Sequence, residues 1–316
     1  MPECGRICVL SGCTSGTRQK TTGRDFVLDS TVQKASVLVE AIPYIQKYRD
    51  AFFVVKLGGS LLRTADIINE VLTDIAFLHL VGIRCVVVSG GGPFINEELQ
   101  KRGKKPRFVD GLRVTDQETL AVVREVTLRV RDRIVSYFTD ELKVNATAVD
   151  PEEGCLVAQK MHYQKGAEVI DLGSVGLVAE VKADVLAERV VRSGVAVMTP
   201  VGCSREGELL NINGDTVSCA VATALAARKL IFVTNVPGIM RNTENPDTLI
   251  STLSVSQAEG LMREGTIKDG MVPKVKAAIS AVSAGVEKVH IVGGAQPHAL
   301  LLEIFTNQGV GTEIMP

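Results

Sequence analysis

The chain has 316 residues, of which 46% are hydrophobic, and a formal net charge of −1. This balance, without a basic stripe, argues against nucleic acid as a partner, because binding a phosphate backbone needs clustered Lys and Arg side chains. No apolar run approaches the roughly 20 residues that a membrane-spanning helix needs, so we expect no membrane partner either. A chain of this length can bury a large core and predicts two lobes.

The N-terminal segment 1–29 differs from the rest of the chain. It is rich in Ser, Thr and Gly, carries slightly more basic than acidic residues and has no signal-peptide core. A transit segment and a disordered extension both stay open. The cysteines form no CxxC pair and show no metal-ligand spacing with the histidines, so we predict a reduced interior and no metal held by side chains.

Apolar residues at helical spacing predict an amphipathic interaction helix over 30–49, ending near Tyr48, with an apolar stripe that must be buried. Apolar β-branched runs then alternate with helical segments. The runs are FFVVK, RCVVVS, VAVMTPV, KLIFVTN and EKVHIV. Helices are predicted at about 65–81, 93–102, 215–227, 271–284 and 298–305, with short strands and turns over 144–181. This alternation predicts an α/β fold, a three-layer αβα sandwich with a mainly parallel central sheet and a lobe boundary near Leu210.

Two glycine-rich loops follow predicted strands. VVKLGGS places Lys56 at a strand end and Gly58 and Gly59 in the next turn, and VVVSGGGP places Gly91 and Gly92 before a helix start. Strand ends of open α/β sheets bind ligands, and glycine N–H groups at helix starts favour anions. Either loop alone is more often only a tight turn, but the pair favours a phosphate site. Neither the dinucleotide fingerprint nor a Walker A loop occurs.

Three charged residues complete this candidate site. Lys274 follows Pro273 at a predicted helix start, and Asp215 in NINGD lies at another. With Lys56, the two ammonium groups would shield a phosphoryl group in transfer, and the carboxylate would hold them in position. The plainer alternatives are a solvated lysine and a capping aspartate.

In order and at fitting spacing, KLGGS, SGGGP, DGLRVTD, DLGSVG, NINGD, TNVPGI, DGMVPKV and GVGTEI resemble the N-acetyl-L-glutamate kinases of the amino acid kinase family, over about 31–314. The resemblance implies the amino acid kinase fold. It also implies transfer of the ATP γ-phosphoryl to the side-chain carboxylate of N-acetyl-L-glutamate, an early step of arginine biosynthesis. That carboxylate is ionised at neutral pH, so no general base is required.

The same resemblance implies a cofactor and a separate ligand for each of the two lobes. ATP would enter with Mg²⁺, which the phosphates mainly hold. Residues 50–210 would bind the acyl amino acid and form a dimer, and residues 211–316 would bind the nucleotide.

The resemblance also implies roles for individual residues, through the motifs in which they lie. The catalytic residues would be Lys56, Lys274 and Asp215. The substrate-binding residues would be Gly59, Gly91, Gly92, Arg113, Asn211 and Asn213. The nucleotide-binding residues would be Gly58, Thr234, Asn235, Gly238, Gly270 and Met271. Arg113 would clamp the α-carboxylate; its alternative is a surface ion pair with Asp110 or Asp116. For the two asparagines the alternative is ordinary turn chemistry.

The long first helix and the tail resemble arginine-sensitive, hexameric members. The residues that match their arginine site are His298, Glu303, Gly309 and Gly311. This implies arginine as an inhibitor, a hexamer built as a trimer of dimers, and a nitrogen-signalling regulator protein as a further partner. The plainer alternative is that these residues only close the last helix and strand. The location implied is the cytoplasm, or the plastid stroma if 1–29 is a transit segment.

The motifs also depart from the family pattern. Ser89 stands where His is usual, Gly214 where Ala is usual and Asn235 where Asp is usual, and 129–133 replaces G-x-V-N-K. No departure touches the three charges, so we predict a working kinase. Two alternatives stay open: a catalytically impaired regulatory homologue that binds arginine, and a kinase for a different acylated amino acid such as an aminoadipate derivative.

Overall fold

The computed structural model describes residues 23–316 apart from 167, 269, 307 and 308, with side chains from Ser36 onward. Most of the predicted N-terminal extension, residues 1–22, therefore lies outside the described residues. The chain divides into two compact units, Met1–Ile42 and Pro43–Pro316. Helix α1 (Gly23–Tyr48) begins in the first unit, upstream of the predicted start at Thr31.

The apolar stripe of α1 is exposed. Val37, Leu38 and Val39 are each 64% exposed, and Ile42 is 45% exposed. The sequence predicts burial of this stripe without naming the surface that covers it, and that burial stays a prediction. Apolar side chains left in water favour contact with another surface.

The remaining elements belong to the second unit. The strands are β1 (Phe52–Leu57), β2 (Arg84–Ser89), β3 (Phe108–Val109), β4 (Leu112–Arg113), β5 (Ala146–Val149), β6 (Leu156–Lys160), β7 (Tyr163–Lys165), β8 (Glu168–Ile170), β9 (Gly176–Val181), β10 (Val195–Met198), β11 (Val201–Cys203), β12 (Leu209–Asn211), β13 (Lys229–Thr234), β14 (Thr252–Ser254), β15 (Lys288–Gly293) and β16 (Thr312–Met315). The helices are α2 (Ala65–Leu80), α3 (Gly92–Lys101), α4 (Gln117–Ser136), α5 (Ala183–Ser193), α6 (Gly214–Ala224), α7 (Val255–Arg263), α8 (Met271–Ser283) and α9 (Ala299–Phe305). A π-helical turn, Tyr137–Glu141, follows α4.

Eight strands form the main sheet in the order β14-β16-β15-β13-β1-β2-β10-β5. From β15 to β5 all neighbours are parallel. β16 runs antiparallel to β15 and parallel to the edge strand β14. Strands from both halves of the sequence therefore share one mainly parallel sheet, and the predicted fold class is confirmed.

The sheet has an apolar core on each face. One face packs against α5, α6, α7 and α8, through residues such as Leu186, Val217, Ala258 and Val275. The other packs against α2, α9 and the end of α4, through Ile75, Leu300 and Ile134. Successive residues of β1 serve opposite faces, as the two-residue period of a strand requires. No described helix combines the length and the apolar character needed to cross a membrane.

A smaller sheet, in the order β12-β11-β6-β9, and two hairpins lie outside the main sheet. In the β3–β4 hairpin, Phe108 lies directly across from Arg113. Asp110 in its turn accepts hydrogen bonds from Tyr163 and from Lys165 Nζ, the latter at 2.8 Å. The β7 strand thus braces the hairpin that carries Arg113.

Candidate active site

Asp215 brings the two predicted lysines together. Its Oδ1 lies 2.8 Å from Lys56 Nζ, and its Oδ2 accepts a hydrogen bond of 2.9 Å from Lys274 Nζ. Lys56 comes from the end of β1, Asp215 from the first turn of α6 and Lys274 from the first turn of α8. One carboxylate therefore joins three elements that are distant in sequence.

Two members of the cluster are buried, and the cluster carries a net positive charge when all three groups are ionised. Lys56 is 9% exposed and Asp215 is 6% exposed. Burial lowers the pKa of Lys56, and the attraction of Asp215 opposes that shift. Burial acts to raise the pKa of Asp215, but the two ammonium groups outweigh it and hold that pKa below its usual range. The ionised carboxylate leaves one positive charge uncompensated, which suits an incoming phosphate.

A cavity of about 250 Å³ opens beside Lys56. It is lined by all six predicted substrate-binding residues: Gly59, Gly91, Gly92, Arg113, Asn211 and Asn213. We call it the acyl cavity, after the ligand that the sequence resemblance predicts for these residues. Residues from β4, β12 and both glycine loops thus meet at one place next to the lysine.

The two glycine loops touch. A Cβ added to Gly59 would lie 2.7 Å from Pro93 Cδ and 3.2 Å from the Gly92 nitrogen. Only glycine lets the first loop approach the start of α3 this closely. The backbone of both loops is therefore available to one small ligand.

Arg113 is a buried cation in the wall of this cavity. It is 9% exposed, and burial lowers its pKa to about 10. Among the described residues it has no acidic partner, since Asp110 pairs with Lys165 and Asp116 pairs with Lys104. The surface ion pair that the sequence left open as an alternative for Arg113 is therefore not formed.

The two asparagines differ in what they do. Asn213 caps α6, and its Oδ1 accepts the N–H groups of Asp215 at 2.8 Å and Thr216 at 3.2 Å. Asn211 donates from Nδ2 to Thr115 Oγ1 at 3.1 Å. The structure thus gives Asn213 the local role of a helix cap, which also fixes the position of Asp215, whereas the capping role left open for Asp215 itself belongs to Asn213.

A second cavity, of about 830 Å³, contains Lys274 in its wall. Its lining includes five of the predicted nucleotide-binding residues: Thr234, Asn235, Gly238, Gly270 and Met271. We call it the nucleotide cavity, after the ligand that the sequence resemblance predicts for these residues. Gly58 is not in its lining, and the Gly58 N–H already donates to Val233 O at 3.1 Å.

The predicted arginine-site residues converge only in part. Glu303 is 8% exposed, and its Oε2 accepts the N–H groups of Val310 at 2.7 Å and Gly311 at 2.9 Å. Gly309 lies against the same carboxylate, since an added Cβ would come within 2.7 Å of Oε2. His298 is instead bound to Asp74, with 2.8 Å between Nδ1 and Oδ1.

Sequence reasoning missed several polar groups near these sites. Lys229 Nζ lies 2.7 Å from His290 Nε2, and His290 Nδ1 lies 2.6 Å from Glu303 Oε1, in a buried chain. Asn96 accepts a hydrogen bond from Arg113. The one available signal for Asn96 was its place in α3, one helical turn after Gly92.

Comparison with known proteins shows which family this chain belongs to. The profile of the Amino acid kinase family matches residues 51–293. The chain belongs to the Amino acid kinase family. It is 42% identical over 290 residues to the acetylglutamate kinase of Methanocaldococcus jannaschii, covering 90% of this chain and 96% of that one. It is 40% identical to the acetylglutamate kinase of Halothermothrix orenii, with 91% and 99% covered.

Solved structures with the same fold include proteins with other names. The N-acetylglutamate synthase of Neisseria gonorrhoeae, complexed with coenzyme A and L-arginine, superposes with a TM-score of 0.79 at 28% identity. The match covers 89% of this chain and 65% of the synthase chain. Carbamate kinase from Giardia lamblia superposes with a TM-score of 0.60 at 17% identity, covering 84% of this chain and 98% of that one. This second likeness concerns the fold alone.

Proposed function

We propose that this amino acid kinase family member is an acetylglutamate kinase, which transfers the γ-phosphoryl of ATP to the side-chain carboxylate of N-acetyl-L-glutamate. The observation that carries the proposal is the Asp215 carboxylate, which binds a lysine from each cavity at 2.8 Å and 2.9 Å. The names of relatives that match nearly the whole chain support the same reaction.

The reaction follows from this arrangement. ATP occupies the nucleotide cavity, whose volume of about 830 Å³ falls within the range of about 300–1,000 Å³ usual for ligand sites. The acyl amino acid occupies the acyl cavity, with its α-carboxylate on Arg113. The γ-carboxylate oxygen attacks the γ-phosphorus, the bond from that phosphorus to the β–γ bridging oxygen breaks, and ADP leaves. Lys56 and Lys274 offset the negative charge that builds on the transferring and leaving oxygens.

Mg²⁺ is assigned to the nucleotide and not to side chains of the protein. Among the described residues no group of three or more His, Cys, Asp or Glu side chains is arranged to hold a metal ion. Asp215 is already engaged by two ammonium groups. Mg²⁺ would enter with the nucleotide, held mainly by its phosphates, and every role assigned to the chain here is one of charge and position.

Hydroxylamine trapping tests this function. The purified chain with MgATP should yield a hydroxamate with N-acetyl-L-glutamate and none with free glutamate. A stronger signal with N-acetyl-aminoadipate would instead identify the kinase for another acylated amino acid. Arginine binding with no MgATP binding, by calorimetry, would identify the regulatory homologue.

The proposal includes inhibition by arginine. Support comes from the convergence of Glu303, Gly309 and Gly311, and from the N. gonorrhoeae synthase, a relative whose structure was solved with L-arginine. L-Arginine should lower the initial rate of the wild type. Glu303→Gln should respond to it more weakly, since the variant lacks the anionic carboxylate.

Assembly and location complete the proposal. The exposed apolar residues of α1, Val37 to Val39 and Ile42, suit contact with further copies in a hexamer made of dimers. Light scattering of the wild type and of Val37→Ser/Val39→Ser tests this, because a smaller oligomer is expected for the variant. Docking of a nitrogen-signalling regulator, and a cytoplasmic or plastid location, stay predictions.

A further inference from the structure

Among the described residues, the groups that hold the guanidinium of Arg113 in place are all neutral. Its Nη2 donates to Asn96 Oδ1 at 2.6 Å and to the Gly92 carbonyl at 3.3 Å. On another side, its Cζ lies 4.7 Å from the centre of the Phe108 ring. An amide oxygen, a backbone carbonyl and an aromatic ring orient the cation without cancelling its charge.

One end of the guanidinium remains unsatisfied. Nη1 of Arg113 is buried and has no hydrogen-bond partner within the described part of the chain. Arg113 lines the acyl cavity, whereas Asn96 does not. A buried donor without an acceptor is costly, so a ligand that accepts from Nη1 gains that free energy on binding.

We propose that Asn96 is a positioning residue that selects an anionic acyl substrate by holding Arg113 through a neutral acceptor. This inference rests on the proposed function. It identifies the residue that makes the acyl cavity prefer a substrate with a carboxylate. Asn96 fixes Nη2, and this directs Nη1 toward the substrate carboxylate. Because Asn96 carries no charge, the full positive charge of Arg113 remains available to the ligand.

The chemistry of position 96 can be changed in two independent ways. Asn96→Asp keeps an oxygen acceptor at the same place but forms an ion pair with Arg113, which cancels the charge that the substrate needs. Asn96→Leu keeps a similar volume and removes the acceptor. If Asn96 only stabilised the local structure, the aspartate variant would be the milder change, because it retains the hydrogen bond.

Steady-state kinetics with N-acetyl-L-glutamate and MgATP separate these readings. For Asn96→Asp we expect the KM for the acyl substrate to rise about 10- to 100-fold, the factor expected for one hydrogen bond between charged groups. The KM for ATP and kcat should change by less than about twofold. Asn96→Leu should raise the KM for the acyl substrate less than Asn96→Asp does.

A matched control separates local from general electrostatics. Gln100 lies on the same helix, one turn further on, and is exposed. Gln100→Glu adds the same negative charge as Asn96→Asp and should leave both KM values unchanged. An Asn96→Asp enzyme with wild-type KM, or with a KM below that of Asn96→Leu, would overturn the proposal.

A second readout needs no substrate. Phenylglyoxal modifies arginine side chains, and peptide mass spectrometry reports the rate at Arg113 by itself. Asn96→Leu should react faster than wild type there, because the guanidinium is released, while Asn96→Asp should react more slowly. Equal rates in all three proteins would refute the hold on Arg113 even if the wild type phosphorylates N-acetyl-L-glutamate. If the wild type makes no acyl phosphate, the proposed function fails. The phenylglyoxal rates then remain the test of whether Asn96 holds Arg113.

Discussion

Lys56 and Lys274 are held on opposite oxygens of the Asp215 carboxylate, at 2.8 Å and 2.9 Å. One lysine lines the acyl cavity and the other lines the nucleotide cavity. Asp215 therefore joins the two cavities by holding two cations that would otherwise repel each other. Under the proposed function, this relationship would place the transferring phosphoryl group between its donor and its acceptor.

Removing the charge of Asp215 should damage both catalysis and stability. Asp215→Asn leaves two ammonium groups near each other with no anion between them. We expect kcat to fall by about 10²–10³, the range seen when a preorganised charge-stabilising contact is lost. The free energy of unfolding should fall by about 3 kcal/mol, typical for a broken buried ion pair. Single-turnover kinetics and urea denaturation measure the two effects.

The control for this variant is Glu206→Gln, which also removes one negative charge but at an exposed position. It should match the wild type in both assays. An Asp215→Asn enzyme that kept a wild-type kcat would show that the carboxylate is not needed to hold the lysines.

Lys229 should make stability depend on pH in the alkaline range. Burial, helped by the nearby Lys288, lowers the Lys229 pKa from 10.5 to about 8. Between about pH 8 and 10.5 the unfolded chain holds a proton that the folded chain has lost, so stability should rise with pH there. Below pH 8 both states are protonated and the cost of burying the charge is fully present. The rise should be about 2–3 kcal/mol.

Urea denaturation of wild type and Lys229→Met at pH 7.5, 8.5 and 9.5 measures this effect. The difference in unfolding free energy between the two proteins should move in favour of the wild type as the pH rises. A difference that stays constant over this range would mean that Lys229 keeps an ordinary pKa.

The contact between the glycine loops predicts that alanine substitutions at two glycines have opposite effects on stability. Gly59→Ala would place its Cβ 2.7 Å from Pro93 Cδ, so it should cost about 1–3 kcal/mol of stability through overpacking and lower the activity. Gly260 lies inside α7 with nothing within 4 Å of an added Cβ. Gly260→Ala should therefore stabilise by about 0.5–1 kcal/mol. Thermal denaturation and an activity assay of both variants test this prediction. Similar melting temperatures for the two variants would contradict it.

Much of the sheet could be predicted from the sequence because its strands are continuous apolar runs. β1, β2, β13 and β15 were read from such runs. Helix α4 was not assigned at all, although its buried Val122, Val123 and Val126 follow helical spacing. Valine favours strands by intrinsic preference, and the many charges of α4 weaken its apolar pattern. Helices α5 and α7 were missed as well.

The meeting of three charged groups was predictable from their places along the chain together with the family resemblance. Lys56 lies at a strand end and Asp215 and Lys274 lie at helix starts, and the structure brings the three together. Contacts between side chains of distant elements could not be read in the same way. The bond from His298 to Asp74 and the bond from Arg113 to Asn96 depend on how α2, α3 and the β3–β4 hairpin pack.

The most direct test of the central claim is a double-mutant cycle on the two lysines. Single-turnover phosphoryl transfer from ATP to N-acetyl-L-glutamate would be measured for wild type, Lys56→Met, Lys274→Met and the double variant. If both lysines stabilise one transition state through Asp215, each single change should slow transfer by about 10²–10³, and the double variant should be little slower than the worse single one. Fully additive losses, or a single variant with wild-type rates, would contradict a shared site.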